Sequence, residues 1–170
     1  MPNRASSLFP LLIILVAVSL LACQEPASAE TTVDRVLVIK NEKKLVLLSN
    51  GTEVKSYRVA LGRKDGAKVR QGDHRTPEGV YLLDRRNVKS RFYRALHISY
   101  PNGDDRARAH RSGAAPGGDI MIHGPPKGFA DLGDLHAERN WTKGCIALTN
   151  VQMDEIWRLV RDGTPIEIVP

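Results

Sequence analysis

The chain has 170 residues, 42% of them hydrophobic and 26% charged, with a formal net charge of +6; this length and balance suit one folded domain and argue against a disordered chain. Aromatic residues make up only 5%, and 14 glycines and 10 prolines punctuate the sequence, so a turn-rich, mainly β or α+β protein is expected and a long-helix bundle is not. Two cysteines are too few for a disulfide scaffold, and the pattern excludes collagen and coiled coil.

Arg4 is the sole charge before a mostly apolar run over residues 8–22, broken by Pro10 and Ser19, and Cys23 follows directly. The run is short of the roughly 20 residues that span a bilayer and matches the apolar region of an export signal. The order Leu20-Leu21-Ala22-Cys23 resembles the lipobox of bacterial lipoproteins, which implies acylation of Cys23 and cleavage just before it. On that reading residues 1–22 are a signal peptide, 23–32 a lipidated polar tether and 33–170 the folded domain. By analogy with other lipoproteins, Gln24 after the cysteine favours the outer membrane where the host has one. An exported, periplasmic, lipid-anchored protein is expected.

Residues 33–39 (VDRVLVI) and 44–48 (KLVLL) read as strands, with Ser49-Asn50-Gly51 as a hairpin turn signal. Residues 53–61 continue with alternation, placing Val54, Tyr57 or Val59 on buried faces. The polar, Gly-rich stretch 62–79 reads as a loop that leads into a strand at 80–83. Residues 119–122 form a short buried strand delivering His123-Gly124, and a long loop over 125–140 follows. Thr149 and Gln152 have capping-box spacing and open an amphipathic helix with Ile156, Leu159 and Val160 on one face; Asp162-Gly163-Thr164-Pro165 stops it before a last strand at 166–169. No internal repeat is found; His97, His110, His123 and His136 fall 13 apart with nothing shared around them.

Arg85, Arg86, Lys89, Arg91, Arg94, Arg106, Arg108 and Arg111 face only Asp104 and Asp105 across residues 85–111. Such a cationic excess ordinarily points to nucleic acid. An exported protein meets little of it, so anionic headgroups and carboxylate-bearing wall polymer are the expected neighbours, beside the plainer reading of a solvated basic face.

Assigning Cys23 to lipid leaves Cys145 without an intramolecular disulfide partner in an oxidising compartment. It is either a buried small hydrophobe or a nucleophile. A cysteine nucleophile needs a base for its proton and donors aimed at the developing oxyanion. In Trp141-Thr142-Lys143-Gly144-Cys145-Ile146 the glycine lets backbone approach a substrate, making the amides of residues 143–145 candidate oxyanion donors. His123, at a strand end before flexible Gly124, is the candidate base. Lys143 would lower the thiol pKa if turned toward it.

The string MIHG, then a loop, then TKGCIALTN resembles the bacterial L,D-transpeptidases, the YkuD-type domain, and VALGRKDGAKVRQGDHRTPEGVYLL is similar to the family segment ending in Thr-Pro-x-Gly. The resemblance covers roughly residues 33–169 and is nearest to the murein transpeptidase branch. It implies a β-sandwich with short helices, one near the C-terminus. It also implies Cys145 as nucleophile, His123 as general base, the Gly124 carbonyl orienting the imidazole, and Thr142, Lys143 and Gly144 shaping the oxyanion turn. Two departures sit beside the implied substrate: Ala147 where many members have Arg, and Lys143 where many have His. They leave acceptor choice open.

The implied chemistry is attack on the L-centre third residue of a peptidoglycan tetrapeptide stem. D-Ala leaves, and a thioester is resolved by a neighbouring stem amine (3→3 cross-link), by water (L,D-carboxypeptidase) or by a protein amine. No metal or organic cofactor is needed, no nucleic acid is involved, the membrane is met through Cys23, and a monomer suffices. Arg106, Arg108, His136 and Trp141 are candidate substrate contacts. Against that, His136 reads more plainly as an exposed loop histidine, and Trp141, like Tyr81 and Tyr93, reads equally as packing or as a sugar platform. A zinc hydrolase fares poorly, since no H-E-x-x-H pair occurs; a catalytically silent wall-binding lipoprotein with a structural cysteine is the other alternative.

Overall fold

The structure, a computed structural model, describes residues 32–126, 128 and 130–170. The expected signal peptide, Cys23 and the tether as far as residue 31 lie outside the described residues. The first two apolar runs form an antiparallel pair, β1 (Arg35–Ile39) and β2 (Lys44–Ser49), and β3 (Thr52–Arg58) continues the meander. Asn50 and Gly51 both have positive φ (50° and 77°), the conformation that a two-residue hairpin favours and that these two residues tolerate best. Tyr57 and Val59 are buried, whereas Val54, unpaired where β3 shifts register against β2, is 37% exposed, so the expected burial of Val54 does not occur.

Further along the chain come β4 (Gly79–Asn87), β5 (Ala95–Ile98), helix α1 (Gly103–Arg111), β6 (Met121–His123), β7 (Ile146–Ala147), helix α2 (Asn150–Leu159) and β8 (Thr164–Val169). The strands make one mixed eight-stranded sheet in the order β3-β2-β1-β8-β4-β5-β6-β7. The final strand is its centre, parallel to β1 and antiparallel to β4. The two ends of that order meet: Ala60, just past β3, exchanges hydrogen bonds of 3.0 and 2.8 Å with Ala147 of β7. The sheet therefore folds back on itself around Leu45, Leu47, Leu83, Ile98, Ile122, Ile146 and Ile166, all essentially inaccessible. The described residues are mainly β with two α-helices, one near the C-terminus.

Helix α2 starts where the sequence places it. The Thr149 hydroxyl accepts from the Gln152 N–H and the Gln152 carboxamide from the Thr149 N–H, and the helix buries Met153 and Ile156. Its last carbonyls are held by Arg86, which donates to Trp157 O and Val160 O and pairs with Asp162 at 2.7 Å. Part of the cationic stretch is thus structural.

Helix α1 and strand β5 fall inside that stretch, where the sequence reading placed no element. Helix α1 has no apolar face to betray it; Ala109 is its only buried apolar residue. Asp105 docks it instead. This buried carboxylate closes a capping box with Asn102 and accepts from Tyr81 Oη (3.0 Å) and Arg108 (3.2 Å). The long loop 125–140 likewise contains a 3-10 segment, Ala130–Ala137, kinked at Gly133.

Replacing Asp105 with Ala removes the cap and the acceptor shared by Tyr81 Oη and Arg108, leaving Glu78 O (3.0 Å) as the acceptor of the Tyr81 hydroxyl. A loss of about 2–3 kcal/mol in urea unfolding is expected, against about 1 kcal/mol for Tyr81→Phe. Equal small losses would contradict this account of α1.

Candidate active site

Strands β6 and β7 are parallel, with Ile122 opposite Ile146 and His123 opposite Ala147. One residue back in this register, Cys145 is level with Met121. Side chains alternate, so Met121, His123 and Cys145 share a face, and strand spacing puts Cys145 and His123 about 8 Å apart at Cα on the diagonal. The thiol donates to the carbonyl oxygen of Asp119 at 3.7 Å.

His123 is 4% exposed. Its Nδ1–H donates to Gly124 O at 2.6 Å; a carbonyl can only accept, so the proton of the neutral ring sits on Nδ1 and Nε2 is bare. Phe92 lies over the ring at 4.7 Å between centroids, and Trp141 meets it edge-on at 5.9 Å. Gly124 is required by close approach: a Cβ there would come 2.5 Å from Asn150 Oδ1 and 3.0 Å from Tyr93 Cβ.

The turn before the thiol is tied on both sides. Thr142 exchanges backbone hydrogen bonds with Leu61 and Arg63, while its hydroxyl donates to Cys145 O (2.7 Å) and accepts from Gly144 N–H (3.0 Å). The Gly144 amide is thereby consumed by the turn, which removes it from the expected oxyanion donors at 143–145. Gly144 has φ +129°, and a Cβ would meet Arg75 O at 2.6 Å, so no other residue fits there.

Burial sets the electrostatics. It pushes the His123 imidazole below its ordinary pKa, with the Gly124 hydrogen bond opposing. Burial also pushes the Cys145 thiol up, outweighing the Met121 N–H and the Lys68 charge that favour the thiolate. At neutral pH both groups are uncharged. Burial would raise the nearby Asp73 carboxyl too, but Lys68 and the N–H groups of Val69, Arg70 and Arg75 reverse this and hold it at about 2.

The remaining candidates scatter. His136 is buried, not an exposed loop residue: its ring nitrogens face Gly133 O (2.7 Å) and Ala147 O (3.2 Å). Trp141 donates to His136 O at 3.1 Å, and the two line an apolar cavity of about 380 Å³ with Pro125, Pro126 and Leu135. Lys143 is exposed and lines a second cavity, about 360 Å³, that holds Cys145. Arg106 is exposed on α1 and Arg108 pairs with Asp105; neither lines either cavity. Ala147 does not face a ligand space: it is fully buried and closes the sheet with Ala60. Sequence reasoning missed Phe92 and Lys68. Nothing in a run of charged residues marks one lysine as buried, and Phe92 sits in an irregular loop without periodicity.

The profile of the L,D-transpeptidase catalytic domain, YkuD, matches residues 33–168. The chain belongs to this family. It is 38% identical to YafK of Escherichia coli (strain K12) over 97 residues, 56% of this chain and 32% of that one. The helical cell shape determining protein Pgp2 from Campylobacter jejuni superposes with a TM-score of 0.63 at 30% identity, covering 80% of this chain and 47% of its own. Bd1075 of Bdellovibrio bacteriovorus gives 0.56 at 25%, covering 82% and 48%. An L,D-transpeptidase from Xylanimonas cellulosilytica (TM-score 0.56, 15% identity, covering 85% and 64%) shares the fold. The chain thus spans about a third of YafK and about half of Pgp2 and Bd1075.

Two outcomes follow for this L,D-transpeptidase-family domain. Alkylation of Cys145 by iodoacetamide, followed at its peptide by mass spectrometry, should keep rising with pH through the ordinary thiol pKa and level off only above it, because burial raises the thiol pKa; a plateau reaching down to pH 6 would reveal a thiolate–imidazolium pair instead. Gly144→Ala should cost about 2 kcal/mol in urea unfolding through strain at its positive φ, and an unchanged midpoint would contradict the close contact with Arg75.

Proposed function

We propose that this domain is a peptidoglycan L,D-transpeptidase whose nucleophile is Cys145 and whose general base is His123. The carrying observation is that bare Nε2 and the thiol share one face of paired strands. Nε2 takes the Sγ proton as sulfur attacks the carbonyl carbon of the third stem residue. The oxyanion draws on the amides of Lys143 and Cys145, since that of Gly144 is engaged. Collapse breaks the amide bond, and D-Ala leaves with the proton returned by the imidazolium, giving a thioester. An acceptor amine, deprotonated by His123, attacks the thioester; an amide forms and the thiol is restored. Burial supports both halves of this cycle, because a neutral imidazole can accept the proton that a neutral thiol still carries.

The peptidoglycan assignment draws on the family and on neighbours such as Pgp2, a cell shape determinant. The lipobox-like segment before Cys23 supports export and lipid anchoring, which would hold a monomeric domain against the wall. The exposed cations of residues 85–111 suit a polymer bearing carboxylates.

The test is incubation of the full chain with disaccharide tetrapeptide, with products resolved by mass. A dimer lacking one D-Ala is the expected product, and Cys145→Ala and His123→Ala should each lower its rate by at least about 100-fold. Tripeptide alone would replace transfer by hydrolysis. No product from the wild-type chain would overturn the enzymatic reading in favour of a binding protein.

A further inference from the structure

The loop before β4 contains an ion pair that the catalytic steps above do not use. Lys68 is 3% exposed and Asp73 8%, and their side chains meet at 2.8 Å. The Asp73 carboxylate is anchored by the N–H groups of Val69, Arg70 and Arg75, at 2.8 to 3.2 Å. Buried pairs of this kind contribute little net stability, since desolvation offsets their attraction. This one is also directional. The Lys68 side forms part of the wall of the Cys145 cavity, whereas Asp73 lines a separate cavity with Val69, Arg70 and Arg75. Lys68 thus belongs to the wall beside the nucleophile, where its charge favours the Cys145 thiolate, and Asp73 does not line that cavity.

That cavity is suited to an anion. His74 and Lys143 join Lys68 on its wall, and Asp119, exposed, is the acidic residue among them. The ammonium has three N–H donors; Asp73 and Arg70 O (3.0 Å) take two, and the Tyr100 ring lies 5.9 Å away. One donor remains for a ligand, on a side chain fixed by burial and so requiring little ordering.

We propose that Lys68 is a specificity-determining residue that binds the free α-carboxylate of the residue released from the acyl donor, on the leaving-group side of Cys145. This rests on the acyl-transfer reading for its biological meaning. It makes the domain selective for donors ending one residue beyond the bond cut, because a longer or amidated donor would bury an uncharged group against a fixed ammonium.

The test needs no turnover. Iodoacetate and iodoacetamide differ by a carboxylate against a carboxamide and both alkylate sulfur with loss of iodide. Their relative rates at Cys145 of the full chain, followed at the Cys145 peptide, are compared with those at mercaptoethanol. The wild-type ratio of iodoacetate to iodoacetamide should exceed that of mercaptoethanol by about tenfold or more, the range of a charge-assisted contact. Lys68→Met/Asp73→Asn, which removes both charges without orphaning either, should bring it near the free-thiol ratio, and Lys68→Arg should retain the preference. A wild-type ratio no higher than that of mercaptoethanol overturns the proposal whether or not the double variant folds, as does an unchanged ratio in a folded double variant. Failure of peptide turnover in the assay above leaves these rates readable, so the two proposals fail separately.

Discussion

The pairing of β6 with β7 is the constraint on which the site depends. Strand β7 is two residues long and is held from both sides: Ala147 bonds to Ala60, and Leu148 N–H donates to His123 O at 2.9 Å. Without that clasp the thiol-bearing turn would have no fixed height against the imidazole. The same pairing joins the two ends of the sheet order, so the structural closure of the domain and the alignment of its chemistry are one set of hydrogen bonds.

Around this register the protein places charge sparingly. His123 is buried and Cys145 half-buried, and desolvation favours the uncharged form of each, which disfavours a charge-separated pair until a substrate arrives. Of the buried pair Lys68 and Asp73, the first lines the thiol's cavity and the second a separate one, while the exposed Lys143 and Asp119 also line the thiol's cavity. Aromatic rings do the rest: Phe92 and Trp141 pack against the imidazole and leave its Gly124 hydrogen bond to decide the tautomer. The two cavities flanking the pair differ in kind, apolar on the Trp141 side and cationic on the Cys145 side.

Local chemistry was legible in the sequence. The strands rich in Val, Leu and Ile, the Asn50-Gly51 hairpin and the Thr149–Gln152 cap are all written in adjacent residues. The strings around His123 and Cys145 pointed to the family that the profile then matched over residues 33–168. What was not legible depends on partners distant in the chain. Helix α1 is docked by the Asp105 carboxylate on Tyr81 rather than by an apolar face, so hydrophobic periodicity is silent there. His136 is buried because carbonyl oxygens of Gly133 and Ala147 receive its ring. Lys68 lies among exposed cations in sequence and becomes interior only through Asp73. The Gly144 amide was misread for the same reason: its use by the Thr142 hydroxyl is visible only once the turn is closed.

Direct observation of the His123 ring offers the sharpest test. With the full chain labelled with ¹⁵N-histidine, NMR at pH 7 should find this imidazole neutral, with the proton on Nδ1 and Nε2 bare, and titrating below an ordinary histidine. A ring protonated on Nε2, or an imidazolium at pH 7, would leave Cys145 without a base and contradict the mechanism at its first step.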